Sequence, residues 1–256
     1  TGAANIVLDA ALKQGLQCAV IEKGKFGGTC LTRGCIPTKV LATAADYIRE
    51  SQDLPKSGVE VEPAKMNWDI ISRRVWEKID EHKEVLRHYQ KYANLAIYQG
   101  SGFFTGEKTL QVKLHDGSLS EEMTAEKIII DVGARTNLPE ITGREATGYI
   151  CSETLFGDKY PKQPYKSLII VGGGPIGCEF SHIFAAAGTK VTVVQHNNRL
   201  LSKADEDISE QIRQNMEAFG IKTYLNANLL EAKKADDQKT LLFEDRETGE
   251  RIEVTG

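Results

Sequence analysis

The feature that most constrains the fold is a strand, a glycine turn, a helix and a second strand that follow one another in the second half of the chain. Leu168–Val171 is an apolar run typical of a buried strand, and Gly172, Gly174 and Gly177 follow it with GxGxxG spacing. A helical stretch then leads to a second apolar run, Lys190–Gln195. Because such glycines let backbone approach a pyrophosphate at a helix N-terminus, the pattern predicts a dinucleotide-binding unit.

An earlier copy of this pattern occurs at the start of the chain. Gly2 precedes an apolar helical stretch to Leu12, and the strand Gln17–Glu22 follows. Glu22 ends this strand, twenty residues beyond Gly2. An acidic side chain at this position can accept hydrogen bonds from both hydroxyls of a ribose. The chain therefore carries two nucleotide-binding patterns in tandem.

Together the two copies predict an α/β fold with two tandem Rossmann-like dinucleotide-binding domains built on parallel sheets. We place the domains at residues 1–150 and 151–256. In the first, helical periodicity over Trp68–Asn94 predicts an inserted long helix, and strands are expected at Thr109–Leu114 and Lys127–Val132. Further elements expected are a helix over Thr38–Ser51, a helix over Asp205–Phe219 and a hairpin turning at residues 247–250.

A pair of cysteines indicates the chemistry. Cys30 and Cys35 lie in the run GGTCLTRGCIPTK, at residues 27–39. A disulfide that closes so short a loop adds little stability, so a chemical role is the better reason for the pair. Cys30 lies near a helix start, where the dipole favours thiolate, and Gly34 and Pro37 loosen the first turns enough for the sulfurs to meet. Two reduced neighbours remain an alternative, whereas a metal site lacks further ligands.

The whole run closely resembles the GGTCxxxGCxPxK signature of the class I pyridine nucleotide-disulfide oxidoreductases, which are flavin-dependent, and most nearly their dihydrolipoamide dehydrogenase branch. The resemblance implies FAD and a nicotinamide nucleotide as cofactors. It also implies that Cys30 is the interchange thiol and Cys35 the charge-transfer thiol. Lys39 and Glu179 match family positions where an ion pair lies near the flavin N5, and such a pair would be buried.

The resemblance also implies the residues that contact the cofactors. Those expected to contact FAD are Gly2, Ala3, Glu22, Lys23, Gly28, Thr29, Lys39, Gly102, Gly133 and Ala134. Those expected to contact the nicotinamide nucleotide are Gly172, Gly174, Pro175, Ile176, Gly177, Gln195, His196 and Leu229. Gln195 replaces the acid that is usual in NAD-preferring relatives, while His196 or Arg199 could attract a 2′-phosphate. We favour NAD and leave NADP open.

The activity implied is a two-electron transfer between NAD(P)(H) and a dithiol or disulfide through Cys30 and Cys35. Dihydrolipoamide, free or on a lipoyl domain, is the favoured substrate. The alternatives are another reductase of the family, such as a glutathione, mercuric or thioredoxin reductase, and a non-catalytic nucleotide-binding redox module. The family resemblance also implies a homodimer in the full-length protein.

Charge and composition exclude several other classes. A net charge of −4, with acids and bases interspersed, argues against nucleic-acid binding and against a basic membrane surface. The sequence shows no apolar run long enough for a bilayer and no signal-peptide pattern, which favours the cytoplasm. The five histidines lie in no HPTxxE-like context, so we expect the family's acid/base His-Glu pair, the dimerisation domain and the first strand to lie outside this sequence.

Overall fold

The computed structural model of the protein describes residues 2–236 and 238–256. The chain divides into two compact units. The first comprises Thr1–Thr38 with Val75–Arg135, and the second comprises Lys39–Arg74 with Thr136–Gly256.

This division reflects which parts of the chain pack together, and it does not depend on which nucleotide each part would bind. The second unit includes Lys39–Arg74, which precede most of the first unit in sequence, and it begins again at Thr136. The predicted domains, 1–150 and 151–256, are defined by the cofactor that each would bind. Their boundary stays a prediction.

The first half of the chain contains five α-helices, a 3₁₀ turn and four strands among its described residues. In order they are α1 (Asn5–Lys13), β1 (Cys18–Glu22), α2 (Gly28–Arg33), α3 (Cys35–Asp53), a 3₁₀ turn (Leu54–Ser57), α4 (Trp68–Asp80), α5 (His82–Tyr89), β2 (Leu95–Gly106), β3 (Thr109–Leu114) and β4 (Met123–Thr124). In the second half they are α6 (Arg144–Thr147), α7 (Ser152–Leu155), β5 (Ser167–Val171), α8 (Pro175–Ala186), β6 (Lys190–Val194), α9 (Glu206–Ala218), β7 (Lys222–Tyr224), β8 (Ala227–Ala235), β9 (Gln238–Asp245) and β10 (Arg251–Thr255).

The first unit is built on one sheet with the order β1-β2-β3-β4. Strands β1 and β2 are parallel, and β2 continues into an antiparallel pairing with β3. Leu8 and Leu12, four residues apart on α1, and alternate residues of β1 pack on one face of this sheet around Phe26 and Tyr89. The buried Tyr89 hydroxyl donates a 2.9 Å hydrogen bond to Asp9, which satisfies its polar end.

The second unit contains two sheets. Strands β5, β6 and β7 form a parallel sheet, and β8, β9 and β10 form an antiparallel one. The core between them contains Val194, Ala227, Leu241 and Phe243. The strand, glycine turn, helix and strand predicted for this half are therefore confirmed, as is the α/β class with parallel sheets and added antiparallel strands.

Two sequence-based expectations are wrong. Lys127–Val132 forms no strand, and Val132 is 88% exposed. A strand is stable only when a neighbour satisfies its backbone, and within residues 2–236 and 238–256 this segment pairs with none. The long helix predicted over Trp68–Asn94 is two helices, α4 and α5, separated at Glu81. There the amide of Glu81 bonds to the carbonyl of Lys78, three residues back, and this tighter turn ends α4.

Candidate functional site

The two cysteines of the signature lie where one short helix ends and the next helix begins. Cys30 is the third residue of α2, and Cys35 is the first residue of α3. A Cβ on Gly34, between them, would lie 2.8 Å from the carbonyl oxygen of Thr29. A Cβ essentially never approaches a carbonyl oxygen so closely, so only glycine fits this turn between the two thiols without a shift of the backbone.

Both cysteines are reduced and exposed in the structure. The pKa of the Cys30 thiol is raised, first by its hydrogen bond with the Cys35 side chain and then by burial and by the charge of Cys35. The expectation that the helix dipole favours a Cys30 thiolate is therefore not met. The short α2, six residues long, has a weak dipole, and the nearby Cys35 sulfur outweighs it. The Cys35 side chain therefore favours the protonated form of Cys30.

Lys39 and Glu179, distant in sequence, form an ion pair that connects α3 to α8 within the second unit. This is the pairing that the family resemblance implies. The Lys39 side chain is 64% exposed and that of Glu179 is 29% exposed, so the expectation of a buried pair is wrong. Solvent screens the pair, and its contribution to stability is small. Its role beside a flavin stays a prediction.

Sequence analysis missed a second contact between these helices. Nε2 of His182 lies 2.8 Å from Oδ1 of Asp46. Asp46 follows Lys39 by two helical turns, and His182 follows Glu179 by one, so the two pairs lie along one seam of α3 and α8. Helical spacing could have found this pair once α3 and α8 were known to be in contact.

Arg49 continues the same side of α3. Its guanidinium carbon lies 4.0 Å from the centre of the Phe219 ring, beyond the end of α9. Arg49 is only 9% exposed, and its Nε and Nη2 atoms have no hydrogen-bond partner. Burial lowers the pKa of Arg49. The aromatic face is therefore its main electrostatic compensation.

The second nucleotide turn has the geometry that an anion requires. Gly172 has a φ of 107°, and α8 begins at Pro175, a residue that needs no partner for a backbone N–H. A Cβ on Gly177 would collide with the Gly172 carbonyl oxygen, whereas Gly174 has open space at that position. The turn thus packs tightly against α8 at Gly177 and leaves free space beside Gly174. This space fits a pyrophosphate of NAD(P).

Gln195, the residue predicted to bind the ribose, is buried next to this turn. Its Oε1 accepts a 3.1 Å hydrogen bond from the Gly173 amide, and its Nε2 donates a 3.2 Å bond to the Arg199 carbonyl. The following residue, His196, is exposed, and its Nε2 lies 3.2 Å from Nη1 of Arg246. Sequence analysis missed Arg246, because no local pattern connects it with His196.

The first nucleotide turn also holds a negative group. Gly2 has a φ of 94°, and a Cβ on it would lie 3.5 Å from the Cα of Gly28. The Ala4 amide, at the start of α1, donates a 2.9 Å hydrogen bond to Oδ2 of Asp131. That carboxylate shows that the start of α1 accommodates negative charge, which fits the phosphates of FAD. Glu22, at the end of β1, accepts a 2.9 Å bond from the Gly24 amide.

The other predicted contact residues lie in the same two units. Gly102 is on β2 against Ile21, Gly133 has a φ of 69°, and the Lys23 carbonyl lies 3.0 Å from Nε2 of His115. Leu229 packs against the core of the second unit, and Ile176 is exposed at the start of α8. Ala3, Thr29 and Ala134 are exposed. None of these contacts tests a cofactor role, and those assignments stay predictions.

Across residues 2–236 and 238–256, none of the helices has both the length and the apolar content to cross a bilayer. Over the same residues, no three His, Cys, Asp or Glu side chains are grouped as ligands of a metal ion.

Comparison with known proteins agrees with the geometry of the thiol pair and the two turns. Residues 1–255 match the family described as pyridine nucleotide-disulphide oxidoreductase. The chain is 30% identical to a dihydrolipoyl dehydrogenase of Bacillus subtilis, over 93% of this chain and 52% of that protein. It is 32% identical to a mycothione reductase of Mycobacterium tuberculosis, over 82% and 45%.

A solved structure is also similar. It is a Cu(II) complex of the HOCl-induced flavoprotein disulfide reductase RclA from Escherichia coli, with a TM-score of 0.80 and 27% identity. The similarity covers 99% of this chain and 52% of that one. The chain thus spans about half the length of the relatives that it matches. By sequence and by fold, it belongs to the pyridine nucleotide-disulphide oxidoreductase family, whose members use FAD and NAD(P)H.

Proposed function

We propose that this chain carries the thiol pair and both nucleotide sites of an FAD-dependent disulfide oxidoreductase. The protein transfers two electrons between a nicotinamide nucleotide and a dithiol or disulfide, and dihydrolipoamide is the favoured dithiol. The single observation that carries the proposal is the placing of Cys30 near the end of α2 and Cys35 at the start of α3, on either side of a tight turn that requires glycine at position 34. Identity to a dihydrolipoyl dehydrogenase supports the choice of substrate.

The two cysteines divide the work of exchange. Starting from a Cys30–Cys35 disulfide, a substrate thiolate attacks the Cys30 sulfur, the disulfide breaks, and Cys35 leaves as thiolate. The second substrate thiolate then attacks its neighbour's sulfur, which completes the substrate disulfide and releases Cys30. Cys30 takes up a proton, in agreement with its raised pKa. The reverse order reduces a substrate disulfide.

The chain's other residues bind and orient the cofactors. The start of α1, with Gly2 and Ala3, would hold the phosphates of FAD, and Glu22 would hold its ribose. Lys39 and Glu179 would place charge beside the flavin ring. When bound, FAD would supply the two-electron redox chemistry that connects the thiol pair with a nicotinamide nucleotide.

The experiment is NAD(P)-linked turnover of lipoamide by the full-length protein, compared with its Cys35→Ser variant. We expect the purified protein to be yellow. We expect kcat of the variant to be at least about a thousandfold lower, because the exchange then lacks its second sulfur. Cys151→Ser is the matched control, since Cys151 lies on another element and caps α7. Full activity in Cys35→Ser would remove the proposed exchange.

A second candidate is another disulfide reductase of the same family. The similarity to a mycothione reductase and to RclA favours it, and so does Arg33, which lies between the two cysteines and has a buried Nε without a hydrogen-bond partner. An arginine there would favour a substrate with an anionic group. Measuring kcat/KM on lipoamide, on glutathione-like disulfides and on metal ions such as Hg(II) and Cu(II) distinguishes these substrates.

We also propose a homodimer and a cytoplasmic location for the full-length protein. A non-catalytic, nucleotide-binding redox module is the remaining alternative. A purified full-length protein without colour, and without a long-wavelength absorbance band after reduction by two electrons, would favour that module. Sedimentation of the same sample reports the oligomeric state.

A further inference from the structure

The end of strand β6 decides which nicotinamide nucleotide a unit of this kind prefers. The side chain just beyond the second strand lies next to the adenosine ribose, where an acid binds the 2′-hydroxyl of NAD and a nearby arginine accommodates the 2′-phosphate of NADP. In this chain that position is Gln195, which is uncharged. Without the acid, this position does not repel a 2′-phosphate.

The carboxamide of Gln195 is occupied by the protein itself. Gln195 is 7% exposed, and its oxygen and nitrogen bond to the Gly173 amide and the Arg199 carbonyl. These two bonds brace the glycine turn, because the Gly173 carbonyl in turn accepts a 2.8 Å bond from the Leu201 amide. The carboxamide that was predicted to bind a ribose hydroxyl thus forms two hydrogen bonds within the protein, and its contact with a ribose stays a prediction.

The next residue, His196, presents a basic group at the same strand end. Its Nδ1 lies 3.3 Å from the Ala227 carbonyl, and its Nε2 lies 3.2 Å from Nη1 of Arg246. A carbonyl only accepts and a guanidinium only donates, so Nδ1 carries the hydrogen and Nε2 accepts from Arg246. His196 therefore holds the guanidinium in place through its Nε2 atom, and the other guanidinium hydrogens can serve a ligand.

Backbone bonds fix Arg246 to this strand end although it lies on a distant loop. The Arg246 amide donates to the Asn226 carbonyl at 3.0 Å, the Asn226 amide to the Asn197 carbonyl at 3.0 Å, and the Ala227 amide to the Gln195 carbonyl at 3.0 Å. The segment after β9 is thus joined to the segment after β6. The position of Arg246 is a property of the fold and not of one flexible side chain.

The acids around this cluster have other partners. Glu206 pairs with Arg199 at 2.9 Å, Glu247 accepts a 2.9 Å bond from the Asn226 side chain, and Asp245 accepts the amides of Glu247 and Thr248. Among residues 2–236 and 238–256, no carboxylate forms an ion pair with Arg246. Its charge is therefore available to an anion.

We infer that Arg246, oriented by His196, recognises the adenosine 2′-phosphate, so that the nucleotide site prefers NADP(H) to NAD(H). The inference rests on the proposed function in one respect, the use of the turn from Gly172 as the nicotinamide nucleotide site. Arg246 is a residue that determines specificity, because it lies outside the glycine turn and contacts a group that only one of the two nucleotides has.

Calorimetric titration of the full-length protein with NADPH, NADH, 2′,5′-ADP and 5′-AMP tests the inference without relying on turnover. We expect NADPH to bind at least about tenfold more tightly than NADH, and 2′,5′-ADP more tightly than 5′-AMP, as hydrogen bonds between charged groups imply. Arg246→Ala should remove most of this difference, because it should weaken the binding of NADPH and leave the affinity for NADH unchanged. Arg246→Lys, which keeps the charge, should retain part of it.

Arg251→Ala is the matched control, because Arg251 is an exposed arginine on β10, 3.8 Å from Glu244. It should leave all four affinities unchanged. Equal affinities for NADPH and NADH, or an equal loss of both in Arg246→Ala, would overturn the inference and leave the proposed function standing. Binding of neither nucleotide would overturn both.

Discussion

At the scale of single residues, the protonation of Cys30 is the property that the surrounding sequence predicts least well. A helix start lowers a thiol pKa, but the largest influence on Cys30 is the Cys35 side chain, which raises the pKa. Whether the helix start or the Cys35 side chain has the larger effect on the pKa of Cys30 depends on the distance between the two cysteine side chains. Sequence spacing can predict that two thiols meet, but not which of them keeps the proton.

This effect of Cys35 leads to a prediction about reactivity. Because a raised pKa means that Cys30 holds its proton to higher pH, its thiolate fraction at a given pH is low. Cys35→Ala removes the hydrogen bond and the charge that raise the pKa, so alkylation of Cys30 by iodoacetamide should become faster at neutral pH. Mass spectrometry over a pH series should show the midpoint for Cys30 moving to lower pH. An unchanged midpoint would show that Cys35 does not control Cys30.

Gly34 carries the second residue-scale prediction. In Gly34→Ala the new Cβ would lie 2.8 Å from the Thr29 carbonyl oxygen, so the backbone must shift and the thiols must separate. We expect diamide to oxidise the Cys30–Cys35 pair at least about tenfold more slowly, and we expect a loss of about 1–3 kcal/mol in the free energy of unfolding.

Gly106→Ala is the control for this change. A Cβ on Gly106 would lie 3.7 Å from Thr109, an ordinary contact on the same unit. Its oxidation rate should match that of the unchanged protein. If both variants oxidise at that rate, the requirement for glycine at position 34 is incorrect.

At the scale of elements, α3 is the helix whose contacts matter most. One side of it carries Lys39, Asp46 and Arg49, which contact Glu179, His182 and Phe219. The first two pairs are solvent-exposed and add little stability. The third is the stronger contact, because Arg49 is a buried charge compensated by an aromatic ring.

Phe219→Leu tests this contact. It removes the ring and leaves the buried guanidinium with one partner, Oε1 of Gln52 at 3.3 Å, so we expect about 2–4 kcal/mol to be lost from the free energy of unfolding. Arg49→Met keeps the volume and removes the charge together with its burial cost, so its loss should be smaller. Urea unfolding of both variants and of the double variant measures the coupling. A larger loss in Arg49→Met than in Phe219→Leu would contradict this account.

Elements with local signals could be predicted from the sequence, and elements that depend on partners could not. The helix expected at Asp205–Phe219 is α9, since Asp205 starts it and Gly220 follows it. The strand at Thr109–Leu114 is present with those bounds. The strand at Lys127–Val132 is absent because its stability depends on a neighbouring strand and not on its isoleucines.

At the scale of the whole molecule, the same distinction separates the parts of the candidate site. The thiol pair and the glycine turns lie within short runs of sequence, so their residues could be named from motifs. Arg246 reaches His196 only because three loops are joined by backbone hydrogen bonds, and His182 reaches Asp46 only because α8 packs on α3. The residues that we assign to nucleotide choice therefore became visible only in three dimensions.

The uncovered segment at Ile129, Ile130 and Val132 has a consequence for handling the polypeptide. These are exposed, β-branched side chains, and their segment belongs to no strand of the sheets formed by the described residues. A segment of this kind can pair with the same segment of another molecule through its backbone. We expect this segment to limit the solubility of this stretch of chain at high concentration. Replacing one of its isoleucines with lysine should reduce aggregation, because the added charge opposes pairing between molecules.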